Sequence, residues 1–356
     1  MLRLLITGGA GFIGSSVALA AVRGRADVEV TALDSLYRRG SELALPRLTA
    51  GGVRFLHGDV RVAGDLERAG PFDVVIDCAA DPSVHAGRTG RAAEVVDTNL
   101  TGTVNCLELA RRHRASIIFL STSRVYSIPA LRALPLERRQ DRWQIADGAS
   151  GHGWSADGIR REFSIEGFRS LYGATKLSAE LLIEEYRAAY SVPAVVNRCG
   201  VVAGPWQMGK ADQGIVALWA ARHLWAETLD YTGFGGEGLQ VRDVLHVDDL
   251  CDLLLLQIAD VARLSGAVLN VGGGPERSVS LAELTELCVR AGGRRIPIGR
   301  KLETAAVDVP FYVADNRDVT AQTGWRPRRS IEQTVGDTVE WLRSDADRLT
   351  PIMRGV

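Results

Sequence analysis

The first half of the chain alternates short apolar runs with longer stretches of helical period. Residues 2–7 (Leu-Arg-Leu-Leu-Ile-Thr) read as a strand and residues 12–23 as the helix that follows. Further strands are expected at 28–33, 53–57, 74–77, 117–121 and 194–199, with helices at 92–112 and 174–190. The strand runs are almost continuously apolar instead of alternating. That is the pattern of strands covered on both faces. Strand–helix alternation of this kind predicts an α/β fold with a parallel, doubly wound sheet.

Residues 128–170 break the rhythm. They are rich in Arg, Gly, Ser and Asp and show little periodicity. A long excursion inside a compact unit is usually functional, so this one is expected to cover a site as a lid. After Gly204-Pro205 the character changes again, with Gly-rich and aromatic segments such as Tyr231-Thr-Gly-Phe-Gly-Gly236. The expected organisation is a dinucleotide-binding domain over 1–200 and a smaller substrate-binding lobe over 201–356, interleaved with the main sheet.

Composition narrows the partners. Lys and Arg number 42 against 43 Asp and Glu, and hydrophobic residues make up 46%. A near-neutral globular chain has no overall attraction to nucleic acid or an anionic membrane. Cys78, Cys106, Cys199, Cys251 and Cys288 form no CxxC pair. An odd number of widely spaced cysteines in apolar runs fits reduced, buried thiols, with no metal site. No stretch is long and apolar enough to span a bilayer, and no signal peptide is evident, so a cytoplasmic enzyme is expected.

Candidate chemistry begins at Thr7-Gly8-Gly9-Ala10-Gly11-Phe12-Ile13-Gly14, between the first strand and the first helix. Gly8 permits the tight turn, Gly11 lets backbone approach a pyrophosphate, and Gly14 allows close packing. The helix N-terminus offers N–H groups and the positive end of a dipole. Three glycines alone are equally a plain βα turn. Here a strand precedes, a helix follows, and Asp34 lies about twenty residues on, as a Rossmann dinucleotide site requires. Asp34 and Ser35 stand at the end of the second strand, facing the adenosine ribose. A carboxylate there favours NAD over NADP; Arg38 and Arg39 just behind could pair with a 2′-phosphate and leave NADP open. Asp59 and Val60 follow the third strand and reach towards adenine. Ala79 and Ala80 follow the fourth, where small side chains admit the cofactor. Asn99 completes the expected cofactor set.

Tyr172-Gly-Ala-Thr-Lys176 places a tyrosine and a lysine on one helical face. Tyrosine titrates near pH 10, and a nearby cation stabilises its phenolate. Such a pair is also an ordinary amphipathic helix start. The end of the fifth strand adds the hydroxyls of Ser121, Thr122 and Ser123. Taken in order, the glycine turn, Asp34, Asp59, Ser-Thr-Ser-Arg-Val-Tyr126 and Tyr172-x-x-x-Lys176 resemble the extended short-chain dehydrogenase/reductases that act on nucleotide sugars. The resemblance implies that Thr122, four residues before Tyr126, hydrogen-bonds the substrate oxygen. It implies that Tyr172 moves the proton and Lys176 holds the nicotinamide ribose. Gln240-Val-Arg242-Asp resembles the segment whose arginine grips the nucleotide diphosphate; Arg242 could instead pair with Asp243 or Asp249.

Within that family the 4,6-dehydratases usually carry Asp-Glu after the catalytic threonine. Ser123 and Arg124 occupy those places, which disfavours dehydration. Pro82-Ser-Val-His85-Ala-Gly, the stretch ending Glu166-Gly-Phe-Arg-Ser-Leu-Tyr172, and Gly204-Pro-Trp-Gln-Met-Gly-Lys-Ala-Asp-Gln213-Gly resemble the CDP-paratose (CDP-tyvelose) 2-epimerases. So does Phe311-Tyr-Val-Ala-Asp-Asn-Arg317. The resemblance implies redox-neutral epimerisation at C2 of a nucleotide-linked sugar, with Gln207, Gln213, Arg242 and Arg317 on the substrate side. One departure stands out: Ala305, Ala306 and Val307 lie where many relatives carry a second diphosphate-binding arginine, leaving Arg317 or Arg300 to replace it. A C4 epimerase, a net NAD(P)-linked reductase and a non-catalytic dinucleotide sensor are the alternatives. Helices 92–112 and 174–190 resemble a pair that forms a dimer interface in this family, which implies a homodimer or homotetramer. Their apolar residues (Val95, Leu100, Leu107, Leu177, Leu181, Leu182) could equally pack against the sheet.

Overall fold

The computed structural model describes residues 1–83, 91–209 and 214–354. Strands run in chain order as β1 (Leu2–Thr7), β2 (Val28–Asp34), β3 (Arg54–His57), β4 (Val74–Asp77), β5 (Ser116–Thr122), β6 (Leu136–Arg139), β7 (Arg142–Ile145), β8 (Trp154–Ser155), β9 (Gly158–Ile159), β10 (Ala194–Cys199), β11 (Val201–Ala203), β12 (Leu229–Thr232), β13 (Val241–His246), β14 (Val268–Val271), β15 (Ser278–Ser280), β16 (Ile298–Lys301) and β17 (Phe311–Tyr312).

The main sheet has seven parallel strands in the order β14-β10-β5-β4-β1-β2-β3. Its central strands are buried beyond their first residues, as their apolar runs predict: Leu5, Ile6, Val75, Ile76, Ile117 and Ile118 are sealed from solvent. The chain fills the sheet outward from β1 in one direction, then from β4 in the other. The strand order therefore reverses between β1 and β4, opening a crevice beyond their C-terminal ends. Buried Asp77 ties that point together, accepting from Thr7 Oγ1 at 2.7 Å and Thr103 Oγ1 at 2.8 Å.

A smaller sheet of β11, β13, β15 and β17 sits beyond β10. It shares a core with the helices Ile215–Trp225, Leu281–Arg290 and Ile331–Ser344. The second of these starts from a capping box between Ser280 and Glu283.

Two expectations need correction. The helix at 92–112 is interrupted by a π turn, Asp97–Thr101, between Ala92–Val96 and Gly102–His113. The turn presents buried Asn99 towards the loop after β4. The excursion is ordered by two small hairpins, β6–β7 and β8–β9, and a short helix, Ile128–Arg132. Its scattered apolar residues, among them Ile128, Leu131, Ile145, Ile159 and Phe163, share a core with Val307, Val309, Phe311 and Val313. Ile159 N donates to Val313 O at 2.7 Å, and Asp315 N to Ile159 O at 2.9 Å. Among its described residues, Leu131 alone lines the cavity at the crevice. The excursion is a clasp between the two halves of the chain and not a lid.

Candidate functional site

A cavity of about 1050 Å³ runs from the β1/β4 crevice to the C-terminal half. One end is built from turns after parallel strands. Gly8 has φ +60°, and a Cβ there would lie 2.9 Å from the Cys78 carbonyl oxygen. A Cβ on Gly14 would lie 2.2 Å from the Gly8 carbonyl oxygen. Only glycine lets this turn fold so close to the start of the helix Phe12–Gly24. That helix has no side-chain cap and no acidic residue in its first turn. Its first N–H groups are open to a phosphate.

Phe12, Ile13, Ser35, Val60, Ala79 and Ala80 line this end. Asp34 lines it too, and its carboxylate accepts from Ala10 N at 3.0 Å and Leu36 N at 2.8 Å. Burial raises its pKa, and these backbone donors oppose the shift. Arg38 donates to Met208 O and Arg39 to Pro351 O, each at 2.8 Å. Both guanidinium groups thus reach carbonyls of the C-terminal half. Asp59 is paired with Arg61 at 2.5 Å. Asn99, expected at the cofactor, lies behind the wall: it accepts from Asp81 N at 2.7 Å and donates to Thr175 Oγ1 at 3.2 Å. It holds the loop after β4 against the helix Leu171–Tyr190.

The other end gathers Thr122, Tyr172 and Lys176, all buried side chains that line the cavity. Ser170 caps the helix Leu171–Tyr190, its Oγ accepting from Gly173 N at 3.2 Å. A Cβ on Gly173 would lie 2.1 Å from the Arg124 carbonyl oxygen, so this glycine allows the helix to approach the end of β5. Burial pushes the Tyr172 phenol up to about 12; a hydrogen bond with Thr122 and the charge of Arg124 pull it back. Lys176 Nζ lies 4.3 Å from the centre of the Phe119 ring. Burial lowers its pKa, and Asp77 opposes that.

The expected substrate-side residues divide. Arg242 and Gln207 line the cavity. Arg242 pairs with neither Asp243 nor Asp249 but with Asp308, at 3.0 Å, and donates to Val309 O at 2.7 Å. Burial lowers it to about 10, with Asp308 opposing and Arg124 adding to the shift. Gln207 Nε2 donates to Val202 O at 2.8 Å, and its buried Oε1 has no protein partner among the described residues. Arg317 is exposed, paired with Asp315 and Asp157, and away from the cavity; Arg300 is exposed on β16. Gln213 and His85 fall outside the described residues.

Sequence reasoning missed three features. Asp81 lines the cavity and opposes ionisation of Tyr172, so a carboxylate is present even though none follows Thr122. Arg124 lines the cavity and donates to Val307 O at 3.1 Å. Behind the helix Leu171–Tyr190 runs a buried polar chain. Ser121 donates to Glu180, which pairs with Arg198 at 2.7 Å. Arg198 reaches Tyr126 Oη at 3.3 Å, and Tyr126 donates to Asn270 Oδ1 at 2.6 Å. Glu180 lies one turn beyond Lys176, and that i,i+4 spacing was the available signal.

Comparisons agree with this architecture. The chain is 28% identical to CDP-paratose 2-epimerase of Salmonella typhi, over 96% of this chain and 100% of that protein. It is 29% identical to dTDP-glucose 4,6-dehydratase of Streptomyces niveus, over 97% and 94%. Among solved structures, the Thermotoga maritima UDP-glucose 4-epimerase with UDP-glucose matches with a TM-score of 0.78 at 25% identity, over 97% of this chain and 100% of that one. The NAD complex of the Thermus thermophilus UDP-glucose 4-epimerase gives 0.77 at 26%, over 96% and 99%. Residues 4–272 match the family described as NAD dependent epimerase/dehydratase, and the cradle of glycines, the open helix N-terminus and the carboxylate at the end of β2 suit its cofactor. The chain is an NAD-dependent enzyme of that family.

Proposed function

We propose that this enzyme epimerises a nucleotide-linked sugar at C2, with a CDP-hexose of the paratose/tyvelose type as substrate. The observation that carries this reading is the cluster of Thr122, Tyr172 and Lys176 at one end of the cavity, with Ser123 and Arg124, not acids, beside Thr122. The full-length similarity to a CDP-paratose 2-epimerase supports it.

Bound NAD supplies the acceptor, and then the donor, of the hydrogen carried with its electron pair at C2. Tyr172 removes the C2 hydroxyl proton as the carbinol becomes a ketone, and returns it after the ring has turned over. Thr122 donates a hydrogen bond to the same oxygen. Lys176 adds positive charge beneath the phenolate and holds the nicotinamide ribose. Gly8, Gly11 and Gly14 leave room for the pyrophosphate at the helix N-terminus, and Asp34 faces the adenosine ribose. Arg242 holds the substrate diphosphate, and Gln207 contributes its unsatisfied Oε1. Arg317 has no part in this reading, because its partners hold it outside the cavity.

A homodimer belongs to the same reading. Val95 and Leu107 are spent in the core and Leu100, Leu177 and Leu182 pack against it, but Leu181 stays 62% exposed.

The test is incubation of the purified protein with CDP-paratose in deuterated water, without added reductant. The expected product is inverted at C2 and carries no solvent deuterium there. Absence of C2 inversion across CDP-, UDP- and dTDP-linked sugars would sink the reading. Asp81 favours one second outcome, dehydration, which the same experiment detects as a product lighter by one water.

A further inference from the structure

Arg124 lies two positions after Thr122, and the proposed proton transfer does not use it. Its backbone N–H donates to Thr122 Oγ1 at 3.1 Å. Its carbonyl oxygen packs where a Cβ of Gly173 would otherwise be, beside Tyr172. Its guanidinium makes one side-chain hydrogen bond among the described residues, to Val307 O, and the residue lines the cavity. The backbone is therefore fixed on both sides, and the guanidinium keeps donors beyond the one given to Val307.

Arg242 is anchored on the same strip of chain: Arg124 donates to Val307, and Arg242 bonds Asp308 and Val309. Both guanidinium groups are thus anchored on residues 307–309, Arg124 on the Val307 carbonyl and Arg242 on the Asp308 carboxylate, at this end of the cavity. Burial lowers the pKa of each, Asp308 opposes the shift for both, and Arg124 adds to it for Arg242. Two guanidinium groups buried within reach of one another's charge are costly to desolvate, and an anion bound between them offsets that cost. A guanidinium is suited to bind the oxygens of a phosphate in pairs.

We propose that Arg124 binds the phosphate attached to the sugar's anomeric carbon, and that Arg124 and Arg242 together clamp the diphosphate. The inference rests on the nucleotide-sugar reading above and deepens it. The phosphate hangs from C1, next to C2; C4 lies across the ring. A phosphate held two residues from Thr122 keeps C2 close to Tyr172 and carries C4 away from it. Arg124 is then the residue that selects the reacting carbon. The clamp also explains how the chain manages with alanines and a valine at 305–307: the side chain that reaches Val307 comes from the end of β5.

The test compares nucleoside diphosphates with monophosphates on the NAD-loaded protein. Calorimetric affinities for CDP and CMP, UDP and UMP, and dTDP and dTMP are measured for wild type, Arg124→Met and Arg124→Lys. Wild type is expected to prefer the diphosphate of at least one base. Arg124→Met should lose at least about tenfold in diphosphate affinity, the size of a charge-assisted contact, and little in monophosphate affinity. Arg124→Lys should recover part of the loss. These probes carry no hexose on the diphosphate, so a hexose carboxylate cannot account for the result. NAD content and thermal midpoint check each variant, and Arg124→Lys serves alone if the methionine form does not fold. An unchanged ratio of diphosphate to monophosphate affinity, or a wild type without that preference, overturns the proposal. A wild type that inverts no sugar at C2 while Arg124→Met still loses diphosphate affinity overturns the C2 reading and keeps the phosphate contact.

Discussion

The two ends of the cavity are made in different ways. The dinucleotide end is assembled from short consecutive segments: residues 8–15, 33–35, 58–61 and 78–81, each following a strand of one parallel sheet. Its recognition groups are largely backbone: an uncapped helix start, and glycines whose Cβ atoms would strike carbonyls. The reaction end draws on segments far apart in the chain: the end of β5, the start of the helix Leu171–Tyr190, residues 199–202, Arg242 and the stretch around Val309. Its recognition groups are buried, charged side chains. Backbone recognition is written locally and tolerates little change in shape. Side-chain recognition depends on long-range packing and can be retuned one residue at a time.

Substitutions that separate the two ends test this contrast. The largest effect is expected for Tyr172→Phe, which should lower kcat about a hundredfold to ten-thousandfold while NAD content and fold persist. Because burial holds the phenol high, wild-type kcat should rise with pH through the neutral and alkaline range as the phenolate fraction grows. That rise should vanish in the phenylalanine variant. An active Tyr172→Phe enzyme would remove the assigned base. Next comes Glu180→Ala. Arg198, with a side chain only 8% exposed, would be left buried without its partner. Loss of about 3–5 kcal/mol in a denaturant titration is expected. A loss under about 1 kcal/mol, the worth of an exposed pair, would mean that the chain behind the helix Leu171–Tyr190 is not a single unit. Smaller again is Gly14→Ala, where the added methyl meets the Gly8 carbonyl; about 1–3 kcal/mol of stability should go, together with bound NAD. Retention of NAD by this variant, read by mass spectrometry of the released small molecules, would show that the first end tolerates change after all.

The same contrast governs what is legible in the sequence. Strand positions follow from apolar runs, because strands covered on both faces leave no other pattern. The glycine turn at Gly8 and Gly14 and the placing of Asp34 beside it are legible from their spacing, since a tight turn, a helix start and a carboxylate ending the next strand occur in fixed order. Asn99 is expected at the cofactor, but the π turn at Asp97–Thr101 swings it behind the loop at Asp81; apolar periodicity does not reveal such a turn. Residues 128–170 read as a lid because their apolar residues follow no period, yet they bury against a segment more than a hundred residues away. Arg317 reads as available until its pairs with Asp157 and Asp315 are visible. Arg124 registers in the sequence as a missing acid and not as a cation with its own target. Its partner, the Val307 carbonyl, is a backbone atom with no signature in side-chain pattern.

One feature of the main sheet bears on how the chain reaches its native state. β10 pairs on one side with β5 and on the other with β14, which lies far along the chain. Until Val268–Val271 has been synthesised and docked, β10 is an edge, with a row of unpaired amides along Ala194–Cys199. That edge is open and largely apolar, the kind on which a second chain can nucleate. The stretch between the two strands delays the seal during synthesis, since N-terminal segments emerge first. Fragments that stop before β14 should therefore associate through this edge, whereas the whole chain closes it from within.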